Sequence, residues 1–349
     1  MKKRWLWAVA ALVLVGAALR SAGDLPFWQR YASALSRGSP MLPAQDLEPR
    51  LRIAGDGPGA PPRATPEDQG FAPEAVEVAQ AQALAQKSRA LIVHRRGHWI
   101  AATFGPGADG VAVGEDTLVA GGDLSALLPA LAAGVLVEDG RTDAHDALAA
   151  LDQLVRSNAP GNWRNPWSQA ARTRFGSQGA PFLTEAWALP APDFLSQRLW
   201  QPLRAGDAWL WGGDAKSARV DCCVVARLGD WMRLSDLLLG LGVREGERIV
   251  SPQWVRTLMA SPEPGAAPNL KWLAAPATFG GDELPATRDT VAIDLSPELR
   301  LWLVPSRQLA VLHWAADATA ARDSAIPNVL IRGIVDAHPA ADVELVPQH

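Results

Sequence analysis

The chain is short of the groups from which much enzyme chemistry is built. Among its 349 residues there is one tyrosine, Tyr31, and the only lysines are Lys2, Lys3, Lys87, Lys216 and Lys271. No serine stands three residues before any of them, so no serine and lysine can share a helix face one turn apart. The two cysteines, Cys222 and Cys223, are neighbours, and the six histidines are scattered, so neither type shows the ligand spacing of a zinc site. Adjacent cysteines close only a strained ring disulfide, and two small buried side chains on a strand is the simpler reading. Positive charge is not in excess either. The formal net charge is -4, which argues against a nucleic-acid surface. No cofactor or metal is expected.

Long apolar runs are equally scarce, apart from Trp5 to Leu19, which is short for a spanning helix. Lys2, Lys3 and Arg4 precede it, and Arg20, Ser21 and Asp24 follow. That charged-then-apolar order marks residues 1–23 as a signal peptide or an N-terminal membrane anchor. Ser21 and Gly23 suit cleavage, whereas Arg20 does not, and both alternatives stand. In either case the positive flank stays in the cytoplasm. The rest is then exported, to the periplasm or the outer face of the cytoplasmic membrane. Residues 24–69, with GSPMLPAQ and GDGPGAPPRATPEDQ, have the composition of a linker. Tyr31 falls in it, outside the expected fold.

What is abundant is core material: 48% of residues are hydrophobic, 20% are charged, and 15 are tryptophan. This suits a globular domain, with the tryptophans mostly packing it. The domain is expected over residues 70–337, with a tail at 338–349. Phe71 to Lys87 places Val76, Ala79, Ala83 and Leu84 at helical spacing, with Pro73 in the first turn. ALIVHRRGHWIAATF reads as a hairpin turning at Arg95-Arg96-Gly97. Helices are expected over Leu124–Val137, interrupted by Pro129, over Asp146–Val155 and over Arg227–Leu241. Ser251-Pro252 opens another. TVAIDL, RLWLVP and LAVLHW read as an antiparallel meander, and Ile326 to Ala337 as a closing helix. The fold class is therefore α+β. An antiparallel sheet is flanked by N- and C-terminal helices, with a helical domain inserted at about residues 120–260.

That element order, with RLWQPL at 198–203, CCVVARLGDWMRL at 222–234, IVSPQWV at 249–255 and GVLVEDGR at 134–141, resembles the serine β-lactamase and penicillin-binding-protein superfamily. The esterase and nylon-oligomer hydrolase branch is the nearest in character. The resemblance covers about residues 70–337. It implies an α/β domain beside an all-helical one, and a cleft where a helix-borne Ser attacks a carbonyl. A Lys one turn later takes the proton.

The same resemblance places those groups on residues that cannot act in those roles. Counted back from Glu138-Asp139-Gly140, the Ser position is Asp123 and the Lys position Ala126. A shift of two makes the nucleophile Ser125 but leaves Leu128 for the base. Pro129 lacks the N–H that a helix interior needs. The Tyr-x-Asn position falls on Gly176-Ser177-Gln178, so glycine replaces the phenol and Gln178 stands for the amide. The Lys-Thr-Gly or His-x-Gly strand corresponds to ATRDTVAIDL, where Arg288 is the one cation offered for substrate binding. Asp123 reads more simply as a helix N-cap than as a carboxylate nucleophile. His94, His98 and His313 show no sequence spacing of a Ser–His–Asp set.

The expectation is thus an exported pseudoenzyme whose old cleft binds a ligand or partner: a peptidoglycan fragment, an amide or ester, or an envelope protein. The rivals are a hydrolase with rearranged residues and a purely structural scaffold.

Overall fold

The computed structural model describes residues 50–57, 61–107, 110–125, 127–157, 189–211, 224–259, 279–281 and 283–336. The run Trp5–Leu19, Tyr31, Ala126, Gly176, Gln178, Cys222, Cys223 and the tail lie outside the described residues. The first element, β1 (Arg50–Ile53), falls inside the stretch expected to be linker. Helix α1 (Pro73–Ala85) starts on proline, whose missing N–H is not needed in a first turn. It buries Val76, Ala79 and Ala83, while Leu84, expected on the same stripe, is exposed. Strands β2 (Ala90–Arg95) and β3 (His98–Phe104) follow. Their two-residue turn sets Arg96 at φ 50° and Gly97 at φ 83°, the positive pair that suits the strands' right-handed twist.

The middle of the chain runs β4 (Leu118–Ala120), α2 (Gly122–Ser125), α3 (Leu127–Glu138) and α4 (Ala144–Ser157). Next come α5 (Ala191–Leu195), prolonged by a wide turn over Ser196–Trp200, then β5 (Ala208–Trp211) and β6 (Val224–Arg227). Helix α6 (Leu228–Leu239) leads to the short hairpin β7 (Val243–Arg244) and β8 (Glu247–Arg248). Helix α7 (Pro252–Met259) is capped by Ser251, whose Oγ accepts the Trp254 N–H at 3.2 Å. The meander is β9 (Val291–Asp294), β10 (Leu299–Val304) and β11 (Leu309–Trp314), followed by α8 (Ala318–Arg322) and α9 (Ala325–Arg332).

These strands form an antiparallel sheet of order β3-β2-β11-β10-β9. Its alternation sorts two cores. Leu91, Val93, Trp302 and Val311 point to one face and pack under α1 and α9. Ile92, Leu301, Leu303 and Leu312 point to the other, where they meet Leu124 of α2, Leu131 of α3 and Leu238 of α6. The chain is α+β as expected, with terminal helices flanking the sheet and a helix-rich insert between its halves. The insert also carries strands. A second antiparallel sheet of order β1-β5-β6-β4 gives Arg50–Ile53 its partner in Ala208–Trp211. Runs as short as AWLW carry no period that separates strand from buried helix, and RLRI becomes a strand only through pairing far along the chain.

The register defines two ends of the five-stranded sheet. Asp294, Leu299, Trp314, Ala90 and Phe104 share one end, and Val291, Val304, Leu309, Arg95 and His98 the other.

Candidate functional site

At the first of these ends, the start of α2 is pressed against the sheet. Gly122 has φ 50°, and any side chain there would run into the carbonyls of Asp294 and Leu295. Gly121 donates its N–H to the Val224 carbonyl at 2.8 Å, tying the turn before α2 to β6. Ser125 is fully buried on the same side. Its Oγ accepts the Val224 N–H at 3.2 Å and has the Val224 carbonyl 3.4 Å away. The hydroxyl therefore completes the backbone pairing of α2 with β6. The ring of Trp231 lies against Gly121, where an added methyl would also fall 2.5 Å from Ser125 Oγ. Asp123 is 3% exposed. One turn beyond Ser125 stands Leu128, fully buried, and Pro129 offers no N–H to the Ser125 carbonyl.

The structure thus brings Asp123 and Ser125 together on α2, both shielded from solvent. Arg288 is not with them. It sits exposed in the turn before β9, at the opposite end of that strand from Leu295.

Segments that carry the resemblance are held together by their own side chains. Trp200 donates its indole N–H to the Gly206 carbonyl at 2.6 Å, and Asp230 accepts the Gly206 N–H at 3.0 Å. Trp231 packs edge-on to Trp200 with centroids 5.8 Å apart. Burial pushes the Asp230 carboxyl above its ordinary value, against the pull of the Gly206 N–H and the nearby Arg233. Arg198 grips Asp139 through two hydrogen bonds of 2.6 and 2.8 Å, which hold that carboxyl below its ordinary range. RLWQPL is thereby bound to GDWMRL and to VEDGR.

Three polar groupings were not visible from spacing. Asp294 on β9 and the fully buried Arg300 on β10 are joined by a 2.6 Å hydrogen bond from Nε. On the same sheet face, His313 Nε2 lies 2.8 Å from Ser88 Oγ, a half-buried hydroxyl that follows α1. Burial lowers the His313 pKa to about 4, with a small opposing pull from Asp323, so the ring is neutral near pH 7. At the far end of the sheet, His94 Nε2 lies 3.3 Å from Asp236 Oδ2. Asp236 helps line a cavity of about 360 Å3 between the β2–β3 turn, the end of α6 and the β7–β8 hairpin. Ser88 and His313 are 225 residues apart, and only the pairing of β2 with β11 brings them together. Among the described residues no cluster of His, Cys, Asp and Glu could hold a metal ion.

No protein-family model and no curated protein sequence matches the chain. Solved structures do. A Bacillus anthracis protein described as a 6-aminohexanoate-dimer hydrolase superposes with a TM-score of 0.54 at 13% identity, over 87% of this chain and 93% of its own. A Bacteroides dorei protein described as a β-lactamase gives 0.47 at 10% identity, over 76% and 99%. The octameric penicillin-binding protein homologue from Pyrococcus abyssi gives 0.46 at 11% identity, over 76% and 79%. The first of these, with the sheet order and flanking helices above, gives the chain a β-lactamase/transpeptidase-like fold.

Proposed function

We propose that this β-lactamase-like domain binds a ligand or partner in the cell envelope and performs no acyl-enzyme chemistry at α2. The observation that carries this reading is the double engagement of Ser125 with Val224, at full burial and with Leu128 in the base position. A serine attacks a carbonyl only if its hydroxyl reaches substrate and a base takes its proton. Ser125 has neither. Asp123, the other residue at the nucleophile's place, is buried beside it.

The domain is proposed to be exported, on the strength of the basic then apolar order of residues 1–23. Its ligand is proposed to be an amide or ester compound, a peptidoglycan fragment or an envelope protein. The test is turnover of nitrocefin and p-nitrophenyl esters by the purified protein. Rates equal to those of the double variant Asp123→Ala/Ser125→Ala are expected. Turnover that the double variant abolishes would refute the reading.

One observation favours a second reading. Ser88 and His313 form the hydroxyl–imidazole contact that a rearranged hydrolase needs, with Ser88 Oγ 2.8 Å from His313 Nε2. Turnover lost in Ser88→Ala and kept in Ser125→Ala would select it.

A further inference from the structure

We infer that the cavity at the β2–β3 turn is a binding site for a small zwitterion, with a free ammonium and a free carboxylate joined by an apolar body of about dipeptide size. The inference rests on the binding reading above and gives it a place and a ligand class. The site is at the opposite end of the five-stranded sheet from Ser125, so it is not the family's cleft position.

The size is right for a small molecule. About 360 Å3 falls at the lower end of the roughly 300–1,000 Å3 range of ligand pockets. The lining carries both signs of charge, Arg96 and Arg244 against Asp236 and Glu245, with apolar Leu239 and Val243 alongside. A ligand of one sign would meet two like charges; a ligand bearing both can satisfy the two sets together.

Asp236 is the place for the ammonium. Glu245 is already held by Arg244 at 2.7 Å and by Arg204 at 3.6 Å. Asp236 has the His94 imidazole at 3.3 Å and the positive field of Arg233 beside it. It is 14% exposed, so water screens an incoming cation less than at an open surface. Gly97 keeps this carboxylate reachable. Its φ of 83° is a turn requirement that disfavours side chains, and a β-carbon there would stand 4.0 Å from Asp236 Oδ2. The turn that makes the hairpin therefore also leaves the wall open.

The carboxylate goes to Arg96. Arg96 is 44% exposed and shares Asp336 with Arg95, so one carboxylate answers two guanidinium groups. His98 donates Nδ1–H to the Arg96 carbonyl at 3.0 Å, which fixes the ring against the turn and leaves Nε2 as an acceptor in the wall. Arg244 donates to the Leu203 carbonyl at 2.7 Å and is nine-tenths buried, so it forms a fixed part of the wall.

The experiment is calorimetric titration of the full-length protein with alanyl-leucine, N-acetyl-alanyl-leucine and alanyl-leucinamide, with product analysis of each mixture. The free dipeptide should bind, and each blocked form should bind roughly tenfold more weakly. Asp236→Asn should lose roughly tenfold in affinity for the free dipeptide, and Val243→Phe should abolish binding by filling the cavity. No heat with the free dipeptide up to about 10 mM would overturn the inference, as would equal affinity for all three compounds. An unchanged affinity in Asp236→Asn would also overturn it. The two readings fail separately. Cleavage of the dipeptide that Asp123→Ala/Ser125→Ala abolishes would refute the non-catalytic reading and leave the site standing, whereas neither binding nor cleavage would remove the site and leave that reading intact.

Discussion

Ser125 Oγ lies 3.2 Å from the amide nitrogen of Val224, and the Val224 carbonyl in turn accepts the Gly121 N–H at 2.8 Å. A hydroxyl at a helix start, next to where a nucleophile would stand, is here a bridge between α2 and β6. Ser125→Ala leaves the Val224 N–H buried without that acceptor. It should cost about 1–3 kcal/mol in denaturant unfolding and leave any ester turnover unchanged. Loss of turnover at unaltered stability would show that the hydroxyl reacts.

The buried pair Asp294 and Arg300 invites a cycle. Their 2.6 Å hydrogen bond joins a fully buried guanidinium to a carboxylate on the neighbouring strand. Asp294→Ala should cost about 3–5 kcal/mol, because it removes the carboxylate to which the buried guanidinium donates. Adding Arg300→Met removes the buried charge as well, so the double variant should be more stable than Asp294→Ala alone. Equal or additive losses in urea unfolding would contradict a buried-charge origin.

His313 predicts a pH dependence. Burial lowers its pKa from 6.5 to about 4. Above pH 6.5 neither folded nor unfolded chain protonates the ring, and its contribution is constant. Between 6.5 and 4 the unfolded chain takes up the proton and the folded one does not, so stability falls as the pH falls. The gap of 2.5 between the two values corresponds to about 3 kcal/mol once pH is below both. His313→Gln, which can keep a hydrogen bond to Ser88, should lose about 2 kcal/mol less than the parent between pH 7.5 and 5. Parallel pH profiles of unfolding free energy would refute it.

Gly134 gives a prediction opposite in sign to helix propensity. Within an exposed helix, replacing glycine by alanine gains about 1 kcal/mol. In α3, however, a β-carbon at Gly134 would overlap the ring of Trp254, whose Nε1 is held by the Ala130 carbonyl at 2.8 Å. Gly134→Ala should therefore destabilise by about 1–3 kcal/mol in thermal unfolding. A raised melting temperature would mean that Trp254 yields freely.

These residues show what the sequence could and could not reveal. The hairpin at Arg96-Gly97, the Ser251 cap and the three-strand meander were legible because each depends on residues within a few positions: a turn pair, a cap, an alternation. Strand β1 was not, because RLRI gains its partner from Ala208–Trp211. The same division runs through the candidate site. That Ser125 has no lysine one turn on can be read directly. That its hydroxyl is bound to Val224 requires the fold, since the two are 99 residues apart. Ser88 with His313, and Asp236 with the β2–β3 turn, are likewise products of sheet pairing and helix packing. The tryptophans and charges of RLWQPL and GDWMRL were legible as a resemblance, and their contacts around Gly206 show how these residues hold the two segments together.

The central claim is that no hydroxyl at α2 is acylated. Intact-mass spectrometry of the full-length protein after incubation with a fluorophosphonate and with a fluorescent penicillin tests it most directly, with Ser125→Ala and Ser88→Ala in parallel. The account predicts no mass increase with either reagent. A stoichiometric adduct that disappears in Ser125→Ala would contradict it.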